Sequence, residues 1–448
     1  MGTEVINPNA NSRKLKVVWI CHFSNSEIRN LVPLSEKKLL TLLKGIAGKN
    51  ASKIGYYDFA PWITNLIKEF VRFENIELHI IAPMAGMKKL FIDFVHDNVH
   101  YYFFKPDLPI LHANISKKIV KHPKYRWNRF YIKRKILSLK PDIINLIGAE
   151  NPYYSSAILS ITNFPVFVSC QTIYSNPDRE KMGDKLNPHR KKIELKIHKK
   201  ESYFGCTGRL HRDLLLLNNP NAIVFKMFFP FEKSTIGGGS VKKKYDFVFY
   251  AGLAKKKGVE DLIQAFRILK TKHGNSTLNI IGKTSPSYIF YLKGLILKYG
   301  MQENIIFNDY FDSHAELHNH LLCSRFAVLP LKLDVISSAI KEAMHLGLPV
   351  ITYKTSGTPY LNRDGQAVLI AEMNNIDQLA QYMITLLESP ELANTLRENA
   401  KAFVEKEFDN TVSAQRLVKN YHAVINHYHH NEPIPEELLF NPQEFPLY

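Results

Sequence analysis

The segment FAVLPLKLDVISSAIKEAMHLGLPVITYKTSGTPYLNR (residues 326–363) carries the strongest structural signal in this 448-residue chain. Its pattern predicts a buried strand, a polar loop, an amphipathic helix, a second buried strand and a Gly/Pro turn. Ser337 and Ser338 are suitable N-cap residues for the helix. Gly347 and Pro349 together form a stop signal. A strand, a loop and a helix in this order indicate one unit of a parallel α/β fold.

The predicted helix start is a natural seat for a phosphate, because unpaired N–H groups and a partial positive charge meet there. Asp334 lies in the loop before the helix, and Glu342 follows eight residues later. Carboxylates on either side of such a seat can accept hydrogen bonds from sugar hydroxyls while the amides hold a diphosphate. That combination suits a nucleotide-sugar. The alternative interpretation is an ordinary surface Asp and Glu that flank a Rossmann helix.

The same segment resembles the E-x7-E region of GT-B glycosyltransferases, specifically the large retaining family 4. Asp334 stands at the first Glu position and Glu342 at the second, in the string KEAMHLGLPVI. The resemblance implies that Glu342 holds the ribose hydroxyls of the donor and that Asp334 contacts the transferred sugar. Two departures are present: the first carboxylate is shortened to Asp, and residues 335–337 (VIS) replace the usual G-F-G.

A second match is the string YAGLAKKKGVEDLIQAF (residues 250–266), which resembles the family's G-R-L-x-x-x-K-G segment. By this resemblance, Lys257 is the phosphate-binding lysine and Gly252 forms the turn that lets the backbone approach the ligand. Leu253 replaces the family's Arg, so one of two usual cations is absent. The two lysines before Lys257 are candidates to replace it, although an ammonium lacks the fork of a guanidinium. The alternative is a solvated lysine cap before a helix.

The next strand and turn, LNIIGKTSP (residues 278–286), place Gly282 near the nucleotide, and residues 307–311 are where base contacts are expected. The sequence contains no D-x-D suited to a divalent metal and no Cys/His set with ligand spacing. We therefore expect no metal and no cofactor beyond the donor itself. Positive charge from Lys257 and the amides of the helix start would stabilise the departing nucleoside diphosphate.

The first half of the chain matches the family less well, and its candidate residues follow predicted strands or helix starts. Glu150 and Gln171 join Asp334 as candidate catalytic residues; Gln171, in VSCQTIY, replaces the family's His. Asn151 in GAENPYY, with Asp58 and Trp62 in YYDFAPWITN, are candidates for binding the acceptor. Ordinary strand-end caps, or a helix start with Pro61 in its first turn, are the alternative interpretations.

The charge is strongly asymmetric. Residues 1–230 contain 36 Lys/Arg against 18 Asp/Glu, whereas residues 231–448 contain 23 of each. The densest basic stretches are residues 117–135 and 189–200. Such a basic half suits an anionic membrane surface, a polyanionic acceptor or nucleic acid. Four aromatic residues in the first stretch favour an interfacial helix or loop: Tyr125, Trp127, Phe130 and Tyr131. A solvated helix face is the alternative.

Composition predicts a cytoplasmic protein, and the basic first half is compatible with a peripheral position at the inner face of the cytoplasmic membrane. The four cysteines are scattered and form no C-x-x-C pair, as expected of buried thiols in a reducing compartment. No run approaches the ~18 apolar residues of a membrane span. The N-terminal MGTEVINPNANSRK is polar and lacks an apolar signal-peptide core. The histidine-rich NHYHHN near the C-terminus is interpreted as solvent-facing rather than as a metal site.

Short apolar runs that alternate with amphipathic ones predict an α/β protein with parallel sheets. With the resemblance, the expected architecture is GT-B: two doubly wound Rossmann-like domains that face a cleft, with a C-terminal helix returning to the first domain. The predicted boundaries are an acceptor-binding domain at 1–232, a linker at 233–244, a nucleotide-sugar domain at 245–415 and a returning helix and tail at 416–448.

The resemblance implies a retaining, metal-independent hexosyltransferase. It would move a sugar from a nucleotide-diphosphate donor to a hydroxyl of a glycan or lipid-linked glycan in surface polysaccharide synthesis. Two alternatives stay open. One is an inverting transferase or an epimerase on the same fold. The other is a degenerate, non-catalytic protein that binds a polyanionic partner, although no nucleic-acid-binding motif is present.

Overall fold

The computed structural model describes residues 13–34, 58–106, 125–234, 241–309, 311, 313–333 and 336–445. Within these ranges the chain forms two separate sheets, both flanked by helices. The first sheet has eight strands and the second has six. The predicted GT-B class, with two mainly parallel sheets, is confirmed.

The first sheet is built from short apolar runs and has the strand order β3-β4-β2-β1-β5-β6-β7-β8. Only β3 runs antiparallel to its neighbour; the other pairs are parallel. Its strands are β1 (Leu15–Ile20), β2 (Ile76–Pro83), β3 (Phe91–His96), β4 (Val99–Phe104), β5 (Ile143–Ile147), β6 (Val166–Ser169), β7 (Tyr203–Cys206) and β8 (Ile223–Lys226). The central strands are buried on both faces because helices cover both sides.

Helices between these strands bury apolar stripes against the sheet. They are α1 (Ser26–Asn30), α2 (Pro61–Phe70), α3 (Arg126–Leu139), α4 (Pro152–Ser155), α5 (Asp178–Lys181), α6 (Pro188–Lys200) and α7 (Arg209–Asn218). Helix α2 begins at Pro61, where the missing N–H costs nothing, and the N-cap residue Ala60 has a left-handed φ of 54°. Ile132 and Ile136 of α3 are fully buried in one core, whereas Ile63 of α2 lies in the core on the other face.

The second sheet is parallel throughout, in the order β11-β10-β9-β12-β13-β14. Its strands are β9 (Tyr245–Tyr250), β10 (Leu278–Ile281), β11 (Ile305–Asn308), β12 (Ser324–Leu329), β13 (Val350–Tyr353) and β14 (Val368–Ala371). Its helices are α8 (Val259–Lys272), α9 (Pro286–Lys298), α10 (His314–Leu321), α11 (Ser338–His345), α12 (Ile376–Glu388) and α13 (Pro390–Glu407). The strand–loop–helix–strand pattern predicted from residues 326–363 is therefore β12, α11 and β13.

The last helix, α14 (Asn410–His430), returns to the first sheet and packs on α2. Tyr421 is fully buried there. Its hydroxyl accepts a 2.6 Å hydrogen bond from Asn145 of β5, and its ring lies against Phe70 and Phe167. The predicted helix that returns to the first domain is confirmed.

Several local details differ from the sequence-based expectation. Strands β3, β8 and β14 were not predicted, since each is short and is defined by pairing with a neighbour rather than by its own pattern. The residues after α14 contact both halves of the chain: Phe440 donates its N–H to Val224 of β8, and Phe445 stacks on Tyr360. The glycines of the predicted linker lie outside the described residues. Of the terminal histidines, His429 and His430 are exposed.

Candidate functional site

The candidate site lies where the carboxyl ends of the two sheets face each other, which is where ligands bind in open α/β sheets. A cavity of about 190 Å³ there is lined from both halves of the chain. The first half contributes Asn176, Asp178, Met182 and Leu210, and the second contributes Lys332, Leu333, Lys354, Thr355, Ser356, Glu372 and Met373. An ion pair of 3.0 Å between Lys256 and Asp184 also joins the two halves. Residues of both halves therefore line one cleft, whose walls mix polar and apolar side chains.

The predicted phosphate loop after β9 is held against the loop after β12. Residues 255–257 form a single 3₁₀ turn that ends at Gly258, whose φ is +76°. A Cβ at Gly258 would lie 2.1 Å from the carbonyl oxygen of Pro330, so only glycine fits this close approach. The amide of Lys332 donates to the carbonyl of Lys256 at 3.2 Å. These contacts bring Lys257 beside the loop that leads into α11.

The turn after β10 is equally tight. Gly282 has a φ of +158°, and a Cβ there would lie 2.1 Å from the carbonyl oxygen of Ala251. The neighbouring Leu253, which stands in place of the family's Arg, is only 3% exposed and packs as a core residue. Gly252 is half-buried between them. The two predicted glycines, Gly252 and Gly282, thus follow adjacent strands and form the floor of this loop region, to which Leu253 contributes no polar group.

The two lysines considered as replacements for the missing Arg have different surroundings. Lys256 is paired with Asp184 of the first half, whereas the Lys255 side chain is exposed. Lys257 is half-buried. Lys256 therefore joins the two halves of the chain, and Lys257 stays the predicted phosphate-binding lysine.

The start of α11 offers backbone N–H groups to a ligand. Ser338 is the first helical residue and Ser337 is the N-cap, with extended φ and ψ of −73° and 143°. In the described structure, the Ser337 side chain makes no capping hydrogen bond. The helix start is therefore not closed by its own cap residue, unlike a conventional serine cap. Asp334, the candidate sugar-contacting carboxylate, lies outside the described residues.

Glu342 is 7% exposed in the middle of α11. One of its oxygens lies 3.8 Å from Nε2 of His318 on α10. That nitrogen is itself buried and has no hydrogen-bond partner among the described residues. Beside it, burial raises the pKa of the Tyr250 hydroxyl, and the Glu342 charge raises it further. Glu342 is thus a buried carboxylate beside an imidazole nitrogen that has no hydrogen-bond partner among the described residues, an arrangement that suits a polar ligand.

His318 was missed by sequence reasoning, although the i, i+4 pair His314 and His318 in HAELH was a readable signal. One ligand atom from each of His314, His318 and Glu342 lies within 4.8 Å of the others. This trio has the residue types of a metal site.

Glu150 lies at the carboxyl end of β5 and is 3% exposed. Its Oε1 accepts a 3.1 Å hydrogen bond from Asn151, while Oε2 is buried with no partner in the described part of the chain. Burial raises the pKa of Glu150 to about 7, and the Glu194 charge adds to this while Arg190 opposes it. The Arg190 side chain donates to the Glu150 carbonyl and, at 2.9 Å, to Asn151. These contacts hold the residue in a fixed position, and a perturbed carboxyl pKa of this kind makes Glu150 a candidate for a functional role.

The remaining candidates on the first half have mixed surroundings. Gln171 follows β6 and is half-buried, one strand away from Glu150. Asp58 is ion-paired with Arg29, and its side chain is 55% exposed. Trp62 sits in the first turn of α2, with an Nε1 that is buried and unpaired within the described ranges. Another neighbour, His22 after β1, contacts the Tyr153 hydroxyl and was not predicted.

The second half of the chain matches a known protein family. Residues 231–403 match the family described as glycosyl transferases group 1. The capsular polysaccharide biosynthesis glycosyltransferase CapM of Staphylococcus aureus is 23% identical over 210 residues, which are 44% of this chain and 52% of that protein. An uncharacterized glycosyltransferase of Methanocaldococcus jannaschii, MJ1069, is 23% identical over 83% of this chain and 97% of its own length. For CapM and the other first matches, the chain spans about half of the relative's length.

Solved structures share the fold over nearly the whole chain. Sucrose-phosphate synthase of Thermosynechococcus elongatus superposes with a TM-score of 0.65 at 12% identity, covering 91% of this chain and 98% of the other. Anabaena HepE in complex with UDP and glucose superposes with a TM-score of 0.61 at 13% identity, covering 91% and 100%. At these identities the likeness concerns the fold alone.

Proposed function

Since residues 231–403 form a glycosyl transferases group 1 domain within a GT-B fold, we propose that this protein is a retaining hexosyltransferase. It moves a sugar from a nucleotide-diphosphate donor to a hydroxyl of a glycan or lipid-linked glycan in surface polysaccharide synthesis. The observation that carries the proposal is the junction of the Lys257 loop with the loop leading into α11, beside the uncapped start of α11. A capsular polysaccharide glycosyltransferase among the relatives suggests the setting.

On the donor side, each group has a role that its chemistry supports. Lys257 and the first-turn amides of α11 take the diphosphate, because a cation and a helix start both stabilise the developing negative charge. Gly252 and Gly282 have no side chains, so the backbone at these positions can approach the diphosphate closely. Glu342 accepts hydrogen bonds from the ribose hydroxyls, a bidentate arrangement that a buried carboxylate favours. Asp334 is assigned to the transferred sugar.

In the proposed reaction the acceptor hydroxyl attacks the anomeric carbon on the face from which the diphosphate leaves. The bond from that carbon to the phosphate oxygen breaks, the bond to the acceptor oxygen forms, and the acceptor proton passes to the leaving phosphate. Asp334 would balance the oxocarbenium-like sugar. Glu150, Asn151 and Gln171 would orient the acceptor hydroxyl from the other wall, with Asp58 and Trp62 further out. This scheme uses no metal, and unchanged turnover after EDTA treatment at a temperature far below unfolding is the expected result.

The test of the donor site is a thermal-shift panel with UDP-, GDP-, ADP- and dTDP-sugars. The native protein should be stabilised by one nucleotide class, and Glu342→Ala should lose most of that shift. Loss of charged hydrogen bonds typically costs about 1.5–3 kcal/mol, or roughly 10- to 150-fold in affinity. Glu398→Ala, at an exposed position of α13, is the matched control and should behave as the native protein. A panel in which no sugar nucleotide shifts either protein would contradict the proposal.

Two alternatives are separated by product analysis. An inverting transferase or an epimerase on this fold would give a product with the opposite anomeric configuration, or an altered sugar without transfer. A degenerate protein is favoured by one observation, the buried Leu253 where the family carries a cation. Such a protein would bind a polyanion and release no nucleoside diphosphate with any acceptor.

We also propose that the basic first half holds the enzyme at an anionic membrane surface on the cytoplasmic side. Among the described residues, no helix combines the length and apolarity needed to cross a bilayer. Helix α3 instead exposes Lys133 and Arg134 with Phe130, which is 53% exposed. Basic residues beside exposed aromatics suit an interfacial helix. Lys135 belongs to a different contact, since it pairs with Asp93 at 2.7 Å.

Vesicle sedimentation tests this docking. Binding to vesicles that contain anionic lipid should fall about 30-fold or more when Lys133 and Arg134 are both changed to Glu, because each basic residue contributes ~1 kcal/mol near such a surface and the new carboxylates are repelled by it. Lys293→Glu on the exposed face of α9 is the control and should bind normally. Equal binding of all three proteins would rule out α3 as the docking helix.

A further inference from the structure

Three metal-ligating side chains converge on the first sheet, away from the cleft. Glu77 and His79 lie in the first half of β2, and His100 lies on the adjacent strand β4. His79 and His100 are direct register partners. Because side chains alternate along a strand, Glu77 and His79 share one face of the sheet, and His100 joins them from the neighbouring strand. The carboxyl ends of these strands, which border the cleft, lie at the other end.

The three ligand atoms point at one small volume. Nε2 of His79 lies 2.8 Å from Oε1 of Glu77, and Nε2 of His100 lies 4.0 Å from the same oxygen. The two imidazole rings stack with their centroids 4.5 Å apart and their planes 19° from parallel. All three ligand atoms lie within 4.8 Å of one another.

We propose that Glu77, His79 and His100 bind a divalent transition-metal ion of the zinc type. Two imidazole nitrogens and one carboxylate oxygen are a donor set that zinc accepts, whereas magnesium and calcium prefer oxygen ligands throughout. Zinc–nitrogen bonds are about 2.0–2.1 Å long, so His100 must move toward the other two ligands. Its side chain is 35% exposed and has the freedom to do so.

The surroundings of His79 fit a ligand whose other ring nitrogen is held. His79 is 2% exposed, and its Nδ1 lies 3.1 Å from the Tyr102 hydroxyl. That hydroxyl can donate to Nδ1 or accept from it, so it satisfies either tautomer of the ring. When Nε2 binds a metal, Nδ1 carries the proton and donates it to Tyr102, which is the usual outer contact of a ligating histidine.

The site is also accessible. Glu77 and His100 line a cavity of about 500 Å³, whereas His79 lies behind them. An ion and a completing water molecule can therefore reach the ligands from this cavity. The neighbouring cation Lys16, in register with Glu77 on β1, lies 3.4 Å from the carbonyl of Leu139. The Lys16 ammonium therefore donates a hydrogen bond to that carbonyl.

Two other trios occur among the described residues, and neither is as suitable. His314, His318 and Glu342 include the carboxylate that the donor is proposed to use. Glu27, His96 and Asp97 contain a single imidazole, and two of the three are exposed. Of these three trios among the described residues, the one on β2 and β4 therefore combines two imidazoles with a position outside the cleft. Its metal would tie together two strands near the edge of the first sheet and take no part in sugar transfer.

The experiment uses the full chain without an added histidine tag, stripped with EDTA and titrated with ZnCl₂ by calorimetry and by thermal shift. One Zn²⁺ per chain should bind with a dissociation constant of about 1 µM or below and raise the melting temperature, whereas MgCl₂ should not. Glu77→Gln and His100→Gln should each weaken Zn²⁺ binding by at least about tenfold. Co²⁺ should give a visible absorption band that both substitutions abolish.

Two controls separate this site from other histidines. His314→Gln, in the cleft trio, and His429→Gln, in the exposed end of α14, should bind Zn²⁺ as the native chain does. The melting temperature of each variant, measured in EDTA, checks that the variant is folded. If Glu77→Gln is not folded, Zn²⁺ binding by His100→Gln decides the test. No Zn²⁺ binding by the native chain, or binding that survives both β2–β4 substitutions, would overturn the proposal.

Discussion

The two walls of the cleft use their polar residues differently. On the second wall, the loops after β9 and β12 contact each other through Gly258 and Pro330, and the start of α11 is not capped by Ser337. On the first wall, polar groups bind mostly to one another, as in the cluster of Glu150, Asn151 and Arg190. The second wall therefore presents a helix start without a side-chain cap to a ligand, whereas on the first wall most of these polar groups contact one another, and Oε2 of Glu150 has no partner in the described part of the chain.

This difference has a chemical reason. A nucleoside diphosphate presents phosphates and a ribose whatever sugar it carries, and these groups require cations, amides and a carboxylate at defined positions. An acceptor hydroxyl requires only a hydrogen-bond partner, which many polar side chains supply. Residue types on the donor wall are thus constrained by the ligand, and those on the acceptor wall are constrained more by the local fold.

The largest expected effect is on the donor wall. Lys257→Ala should lower kcat/KM by about 10²–10³-fold, the usual cost of removing one group that stabilises developing charge. Steady-state kinetics with a saturating acceptor measures this. Lys255→Ala, two residues earlier at an exposed position, should stay within about threefold. If the two variants lose activity equally, the charge acts diffusely and the second wall holds no defined phosphate site.

On the first wall, the buried Glu150 carboxyl is expected to make the stability of the protein depend on pH. Its pKa of about 7 lies above the ordinary carboxyl value of 4.5 because of burial. The folded state thus holds a proton that the unfolded chain has released between pH 4.5 and 7. Protonation of the Glu150 carboxyl therefore stabilises the folded state fully below pH 4.5, and this stabilisation is lost as the pH rises through 7. It amounts to about 3 kcal/mol for this fully buried group.

Glu150→Gln tests this, because an amide keeps the shape and cannot titrate. The free energy of unfolding of the native protein, minus that of the variant, should fall by about 3 kcal/mol between pH 4.5 and 8. The variant's kcat should drop by roughly 10²-fold at neutral pH if Glu150 handles a proton or orients the acceptor hydroxyl. An unchanged difference across this pH range would show that the carboxyl is ionised and solvated in the folded state.

A third prediction concerns the partner of the donor carboxylate. His318→Gln should raise the donor KM about tenfold and change kcat less, since the imidazole 3.8 Å from Glu342 positions that carboxylate rather than touching the reacting atoms. His314→Gln, one helical turn earlier and exposed, is the control and should leave KM unchanged. Equal KM values for all three proteins would show that Glu342 is held by the helix alone.

Much of the fold could be predicted from the sequence, because parallel strands are buried on both faces and appear as continuous apolar runs. Strands β1, β5 and β12 are of this kind. Strand β3, which escaped prediction, mixes exposed and half-buried residues and depends on its neighbour β4. Local pattern cannot reveal such dependence.

For the site, glycine and lysine positions on the second wall were predictable because tight turns and phosphates each demand a particular residue type. His318 was not, since its relation to Glu342 joins two helices that are distant in sequence. The same limit applies to Glu77, His79 and His100, which meet only through the register of β2 and β4. Whether the predicted site residues bind substrate stays a prediction.

The smallest expected effect sharpens the comparison from the acceptor side. The Asp58 carboxylate is paired with Arg29 and is about half exposed, so it resembles a surface ion pair worth roughly 0–1 kcal/mol. Asp58→Asn should therefore change the melting temperature slightly and kcat/KM by less than about threefold. Arg29→Gln, which removes the other partner, should have the same small effect if the pair is structural. If Asp58→Asn raises the acceptor KM tenfold while Arg29→Gln does not, Asp58 must leave Arg29 to bind the acceptor, and the first wall is then as open to its ligand as the second.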